Sequence, residues 1–135
     1  MPLFAAPARD DGEMNEALPV LVVDAANVVG SRPDRWWRDR HGAAVRLRDT
    51  LEPLADDHDV ILVVEGQASR VAPTDRVDVV AAPGSGDDEI ERIAATMAAR
   101  GRRVIVVTAD RELRRRLTAI GAELAGPRTL PYTGC

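Results

Sequence analysis

Acidic side chains stand at the ends of three apolar, largely β-branched runs in this sequence, and a further acidic pair follows a glycine-rich turn. Runs of this kind are typical of strands buried on both faces of a parallel sheet. We expect the acids to converge on one rim, because strand carboxyl ends and the helix N-termini that follow them share one side of such a sheet. Clustered carboxylates repel one another unless cations neutralise them, and oxygen-rich sites suit Mg²⁺ or Mn²⁺. The sequence therefore predicts a metal site with ligands drawn from Asp24, Glu65, Asp87, Asp88 and Asp110.

Helix capping is the alternative explanation for each acid taken alone. Asp is a favoured N-cap residue, which suits Asp87, Asp88 and Asp110, and Asp88 with Glu91 has the spacing of a capping box. Asp24 could likewise bond the backbone amides of its own loop. The convergence of four acidic positions on one rim is what favours a metal site over a set of separate caps.

Composition limits the classes of function. The 135 residues, 45% apolar and 30% charged, suit one soluble domain. The net charge of -4 gives no general attraction to nucleic acid, so a polyanion site needs local positive charge, and all 18 basic residues are Arg. Cys135 is the only cysteine, and His41 and His58, both expected on the surface, are too few for a histidine-rich site. No apolar run is long enough to span a membrane and no signal peptide is recognisable, so we expect a cytoplasmic protein.

Strand and helix patterns alternate along the chain. Strands are predicted near 19–24, 60–64, 77–81 and 103–107, with a fifth short strand at 122–125. Helical spacing of apolar residues falls in the segments between these strands, apart from the loop at 67–76. This alternation favours an α/β fold with a parallel sheet covered by helices on both faces. The predicted organisation is a mobile tail at 1–17, a domain at 18–126 and a C-terminal tail at 127–135.

Four segments, taken in order, resemble the PIN-like nucleases, in particular the NYN branch and its bacterial YacP-like members. They are V-V-D-A-A-N-V-V at 22–29, V-V-E-G at 63–66, G-S-G-D-D-E-I at 84–90 and V-V-T-A-D-R-E-L at 106–113. The resemblance covers about residues 19–125, and Ala25 stands where the family usually has Gly. It implies a three-layer, Rossmann-like PIN/NYN domain with a mostly parallel sheet of four to five strands, an acidic pocket holding Mg²⁺ or Mn²⁺, and cleavage of single-stranded RNA.

The resemblance also implies roles for individual residues. The catalytic set is Asp24, Asn27, Asp88 and Asp110, with the metal between the three aspartates and Glu65 as a ligand or a supporting group. Asn27 would orient a water or a phosphate oxygen. Of the adjacent pair we choose Asp88 as the ligand that faces the metal, because its neighbour suits the helix cap.

Basic and aromatic residues supply a candidate RNA-binding surface. Guanidinium groups hold phosphate and an indole can stack on a base, a combination that fits single-stranded nucleic acid. For the Arg and Trp residues at 32–40, the alternative is a solvated helix start with one Trp packed into the core. Ser85 and Thr108 could bond phosphate, although capping suits both. The predicted nucleic-acid-binding residues are Arg32, Arg35, Trp36, Arg38, Ser85, Thr108 and Arg111.

Two other functions remain open from the sequence. One is a nucleotide phosphohydrolase or pyrophosphohydrolase that uses the same acids, with the glycine-rich turn at 84–86 holding a phosphate. The other is a non-catalytic RNA-binding domain, which predicts the same fold without a metal. A homodimer is a further possibility.

Overall fold

The computed structural model describes residues 18–31, 38–68 and 70–131. The predicted tail at 1–17 therefore lies outside the described residues. Within these ranges lie five strands and four α-helices, with 3₁₀ turns that include Glu52–Asp56, Gly66–Ala68 and Pro127–Thr129. In chain order they are β1 (Val20–Asp24), α1 (Ala25–Gly30), α2 (Arg40–Thr50), β2 (Asp59–Val64), β3 (Val77–Ala81), α3 (Gly86–Ala99), β4 (Val104–Val107), α4 (Arg111–Ala119) and β5 (Glu123–Ala125).

All five strands are parallel, and their order across the sheet is β3-β2-β1-β4-β5. Strand β1 is central, and the chain moves outward from it in one direction through β2 and β3 and in the other through β4 and β5. The order therefore reverses between β1 and β4. In open α/β sheets ligands bind at such a switch point, beyond the carboxyl ends of the strands.

Alternate residues of β1 supply two separate hydrophobic layers. Leu21 and Val23 pack on the side of α1 and α2, while Val20 and Val22 pack on the side of α3 and α4. All five residues of the strand are buried. This two-sided burial explains why the strand has no polar alternation, and it confirms the predicted three-layer α/β fold with a parallel sheet.

One helix was not predicted. The segment after β1, which we expected to be a loop, forms the six-residue helix α1. Asp24 caps it, and Val28 and Val29 turn into the core. Tertiary burial of these two residues stabilises a helix that is too short to be stable alone.

The expectation that His58 lies on the surface was wrong. Its ring is fully buried, and Nδ1 lies 3.1 Å from the carbonyl oxygen of Leu54 and 2.7 Å from Oδ1 of Asp57. Within the described ranges, no helix is both long and apolar enough to cross a bilayer.

Candidate active site at the carboxyl edge of the sheet

Asp24 lies at the switch point, as the last residue of the central strand. Its side chain accepts two hydrogen bonds, from the backbone N–H of Asn27 at 3.3 Å and from the hydroxyl of Thr108 at 3.0 Å. The residue is only 6% exposed. A carboxylate with so little access to water is costly to ionise, even with two donors.

The pKa of Asp24 is raised from 3.8 to about 6. Burial is the largest cause, and the negative charges of Asp87 and Glu65 add to it. The hydrogen bonds from Thr108 and Asn27 act in the opposite direction but are outweighed. Asp24 therefore changes charge close to neutral pH, which is a frequent property of functional carboxylates.

Hydrogen bonds tie the loop after β4 to the end of β1 and to helix α1. The side-chain oxygen of Asn27 accepts from the backbone N–H of Ala109 at 2.8 Å. Thr108, which is fully buried, also accepts from the N–H of Asp110 at 3.2 Å. Asp110 in turn caps α4 by accepting from the N–H of Leu113 at 2.8 Å. The two segments that border the switch point are thus held together.

Glu65 joins the end of β2 to the start of α3. Its carboxylate accepts a hydrogen bond from the backbone N–H of Gly86. A Cβ atom at Gly86 would lie 2.5 Å from Oε2 of Glu65, so the glycine is what allows this close approach. The hydroxyl of Ser85 accepts from the N–H of Asp87 at 3.1 Å and makes Ser85 the N-cap of α3.

The adjacent acids at the start of α3 have different surroundings. The pKa of Asp87 is raised, first by burial and then by the charges of Asp110 and Glu65. Asp88 instead accepts an ion-pair hydrogen bond from Arg116 at 2.8 Å, and its side chain is 77% exposed. The prediction that Asp87 caps α3 was wrong, because Ser85 is the cap. Consecutive residues of a helix point about 100° apart, so the two acids face different surroundings. The structure favours Asp87, rather than our choice of Asp88, as the acid that faces the rim.

The oxygen ligands that the rim acids offer are of the kind that a hard divalent cation prefers. Asp24, Glu65, Asp87 and Asp110 supply only carboxylate oxygens, and burial together with the charges of the neighbouring acids raises the pKa of Asp24 and of Asp87. In the part of the chain described, however, no three acidic, His or Cys side chains are already placed to hold one ion. Several of these oxygens accept backbone N–H groups instead, so a cation would have to draw the side chains inward.

The predicted RNA-binding residues differ in what the structure says of them. Arg32, Arg35 and Trp36 lie outside the described residues. Arg38 and Arg111 are exposed near the N-termini of α2 and α4, and Ser85 is an exposed cap. The proposed contact of Thr108 with phosphate is contradicted, because its hydroxyl is buried and bonded within the site.

Two arginines of α4 that the sequence suggested lie on a solvated face make contacts at the site. Nε of Arg114 donates to the carbonyl oxygen of Thr108 at 2.7 Å, which stabilises the loop that carries Asp110. Arg116 links α4 to α3 through Glu91, at 2.7 Å, as well as Asp88. The run of arginines was visible in the sequence, but the register between the two helices was not.

These features define a Rossmann-like α/β domain with carboxylates at the switch point of its sheet. Among solved structures it is similar to Rae1 (YacP) from Bacillus subtilis, with a TM-score of 0.71 and 20% identity over 82% of this chain and 70% of that one. A single-residue mutant of the same protein gives a TM-score of 0.57 at 18% identity, over 82% of this chain and 71% of that one. No known family or curated protein matched. The likeness to the YacP fold expected from the sequence is thus confirmed.

Proposed function

We propose that this protein is a metal-dependent ribonuclease that cleaves single-stranded RNA at the carboxyl edge of its sheet. The observation that carries the proposal is the buried Asp24, whose pKa is raised to about 6 at the switch point. Its carboxylate shares this edge with Glu65, Asp87 and Asp110. The likeness of the fold to YacP supports the choice of a nuclease over other metal-dependent hydrolases.

The four carboxylates would hold Mg²⁺ or Mn²⁺. A divalent cation bound there would supply a nucleophile, by lowering the pKa of a bound water, and would neutralise charge on the leaving oxygen. Thr108 holds Asp24 through a 3.0 Å hydrogen bond and fixes the direction of its carboxylate. Asn27 ties helix α1 to the loop after β4 through Ala109, so we assign it a positioning role in addition to the predicted contact with water or phosphate.

Substrate phosphates would be held by exposed guanidinium groups outside the acidic rim. Arg111 is the first residue of α4 and directly follows Asp110. Arg38 lies just before α2. Guanidinium groups bind phosphate bidentately and stay charged at all working pH values, which suits a net acidic protein that must hold a polyanion.

The test is cleavage of labelled single-stranded RNA with Mn²⁺, Mg²⁺ or EDTA. We expect metal-dependent cutting that falls by more than about 100-fold in Asp24→Asn and Asp87→Asn. Asp88→Asn should stay within about 3-fold of the wild type, because Asp88 faces Arg116. Asp75→Asn, an exposed change before β3, is the matched control.

Three results would contradict this function. Cutting that persists in EDTA or in Asp24→Asn would show that the acids take no part in the reaction. Hydrolysis of free nucleotides without RNA cutting would favour a phosphohydrolase. RNA binding with neither cutting nor metal uptake would leave a binding domain whose acids serve as helix caps.

A further inference from the structure

Arg116 joins the two helices that cover one face of the sheet. Its Nε donates to both carboxylate oxygens of Glu91 at 3.2 Å, and its Nη2 donates to Glu91 at 2.7 Å and to Asp88 at 2.8 Å. The arginine belongs to α4, and both carboxylates belong to α3. We call these three side chains the helix bridge. The side chains of Arg116 and Glu91 are only 24% and 33% exposed, so water screens this pair less than it screens a fully exposed one.

The helix bridge adds direction to a contact that is otherwise apolar. Ile90 and Ile93 of α3 lie in one hydrophobic layer with Leu113 and Leu117 of α4. Apolar packing has no preferred direction, so it permits small shifts of one helix along the other. A guanidinium fork that holds a carboxylate fixes both distance and orientation. Among the described residues, no other side-chain hydrogen bond or ion pair joins α3 to α4.

Each of these helices carries a rim carboxylate at its start. Asp87 is the second residue of α3, and Asp110 is the N-cap of α4. After burial, the charge of Asp110 is the largest cause that raises the pKa of Asp87, so the two carboxylates are near enough to repel each other. Glu91 lies roughly 6 Å beyond Asp87 along its helix axis, and Arg116 lies roughly 9 Å beyond Asp110 along the other. The helix bridge is therefore close enough to oppose this repulsion and to keep the two acids at one separation.

We propose that Arg116 is a positioning residue of the metal site, which sets the separation of Asp87 and Asp110 by joining α3 to α4. The inference rests on the proposed function, because it takes these acids as ligands of a divalent cation. Side chains that orient metal ligands without touching the metal commonly contribute about 10- to 100-fold to metal affinity. Asp88→Asn leaves the bonds to Glu91 in place, so that change alone is expected to have little effect.

Calorimetry of Mn²⁺ binding to the full chain tests this role without any cleavage. We expect Arg116→Gln to weaken Mn²⁺ binding by about 10-fold. The sign of the change is informative, because the loss of a positive charge beside a cation site should by itself strengthen binding. Arg115→Gln is the matched control, since it removes the same charge from a pair with Glu112 that lies within α4. This control should bind Mn²⁺ at least as tightly as the wild type does.

A lysine at position 116 separates the shape of the side chain from its charge. Arg116→Lys keeps the positive charge but loses the planar fork, so we expect Mn²⁺ binding about 3-fold weaker than in the wild type. Urea unfolding of each variant establishes that it is folded, and Arg116→Lys decides the question if Arg116→Gln is not. Binding that is unchanged or tighter in Arg116→Gln would overturn the inference. Where only Arg116→Lys folds, unchanged binding in that variant would do the same.

Cleavage kinetics distinguish positioning of the metal ligands from a general loss of structure. For Arg116→Gln, the Mn²⁺ concentration that gives half-maximal cutting should rise by about 10-fold, while the KM for RNA is unchanged. At saturating Mn²⁺, kcat should return to within about 3-fold of the wild-type value. A loss of kcat at every Mn²⁺ concentration would overturn the inference, because it would show that the substitution damages more than metal binding.

The inference and the proposed function can fail separately. If the wild type cuts RNA and Arg116→Gln binds Mn²⁺ as tightly as the wild type does, Arg116 has no positioning role and the nuclease stands. If the wild type binds Mn²⁺ without cutting RNA, and Arg116→Gln binds it about 10-fold more weakly, the positioning role stands and the nuclease is wrong. A wild-type protein that takes up no metal would overturn both.

Discussion

Replacing Asp24 with Asn should make the protein more stable while it abolishes metal-dependent cleavage. Asn has nearly the same shape and is as good an N-cap as Asp, so its side-chain oxygen can still accept the N–H of Asn27. The hydroxyl of Thr108 can rotate to accept from the new amide group. What the substitution removes is the negative charge of a side chain that is 6% exposed.

The size of the gain follows from the pKa of Asp24. Because the folded-state value of about 6 lies above the ordinary 3.8, the native state binds this proton more tightly than the unfolded chain does. Wild-type stability therefore falls as pH rises from about 4 to about 6, and the full cost is present above that range. The separation of the two pKa values corresponds to roughly 3 kcal/mol. Relaxation around the new amide reduces this, so we expect a gain of roughly 1–3 kcal/mol at pH 8.

Urea unfolding of both proteins at pH 8, 6 and 4 measures this difference directly. The gain should be largest at pH 8, only slightly smaller at pH 6 and small at pH 4, where the folded-state carboxyl is protonated and the unfolded-state one, with its ordinary pKa of 3.8, is only partly ionised. Asp75→Asn, the exposed control, should change the free energy of unfolding by less than about 0.5 kcal/mol at every pH. A loss of stability at pH 8 would refute the reasoning, since it would mean that the ionised carboxylate is favoured where it lies.

Three further outcomes are expected. Arg102→Met should lower the free energy of unfolding by roughly 3 kcal/mol in urea, because it removes the buried guanidinium that is paired with the Asp59 carboxylate, whose side chain is only 12% exposed, whereas the exposed Arg103→Met should cost under about 1 kcal/mol. Gly86→Ala should displace Glu65 and weaken Mn²⁺ binding, measured by calorimetry, by about 10-fold. An unchanged affinity would show that Glu65 does not contribute to the metal site. Asp110→Asn should keep thermal stability but lose RNA cleavage, while Asp110→Ala should lose both, with the missing cap costing about 1 kcal/mol.

The strands and their terminal acids could be predicted because the signal is local. Three continuous apolar runs and the acids at their ends are readable without any knowledge of packing. The placement of Asp24 on the carboxyl edge of the sheet followed from the alternation of strands and helices, whereas the strand order that makes this position the switch point did not. The choice between Asp87 and Asp88 could not be made in the same way. It depends on the phase of α3, which Ser85 sets by capping the helix two residues earlier than Asp87 would.

Buried polar residues far apart in the sequence were also beyond prediction. Arg102 is 6% exposed and donates to Asp59 at 2.5 Å and to the carbonyl oxygen of Leu18 at 2.9 Å. These groups meet only because β1, β2 and the segment before β4 begin at the same edge of the sheet. An arginine and an aspartate in polar segments each suggest solvent exposure when they are read alone. The sheet register, which no single segment contains, is what pairs them.

Capping and metal binding are not exclusive explanations for Asp24. Asp39 caps α2 with an N–H bond of 2.8 Å from Gly42 while remaining exposed, so a cap in this fold does not require a buried carboxylate. At position 24 a neutral Asn or Ser would cap as well without the cost of a charge. That cost is set by burial and by neighbouring acids, and a divalent cation would remove it by supplying the opposite charge. In the metal-free protein, ionisation of Asp24 costs free energy. A bound cation would recover part of that cost, and the recovered part would strengthen cation binding. A role as a helix cap alone does not explain why a residue with this cost stands at position 24.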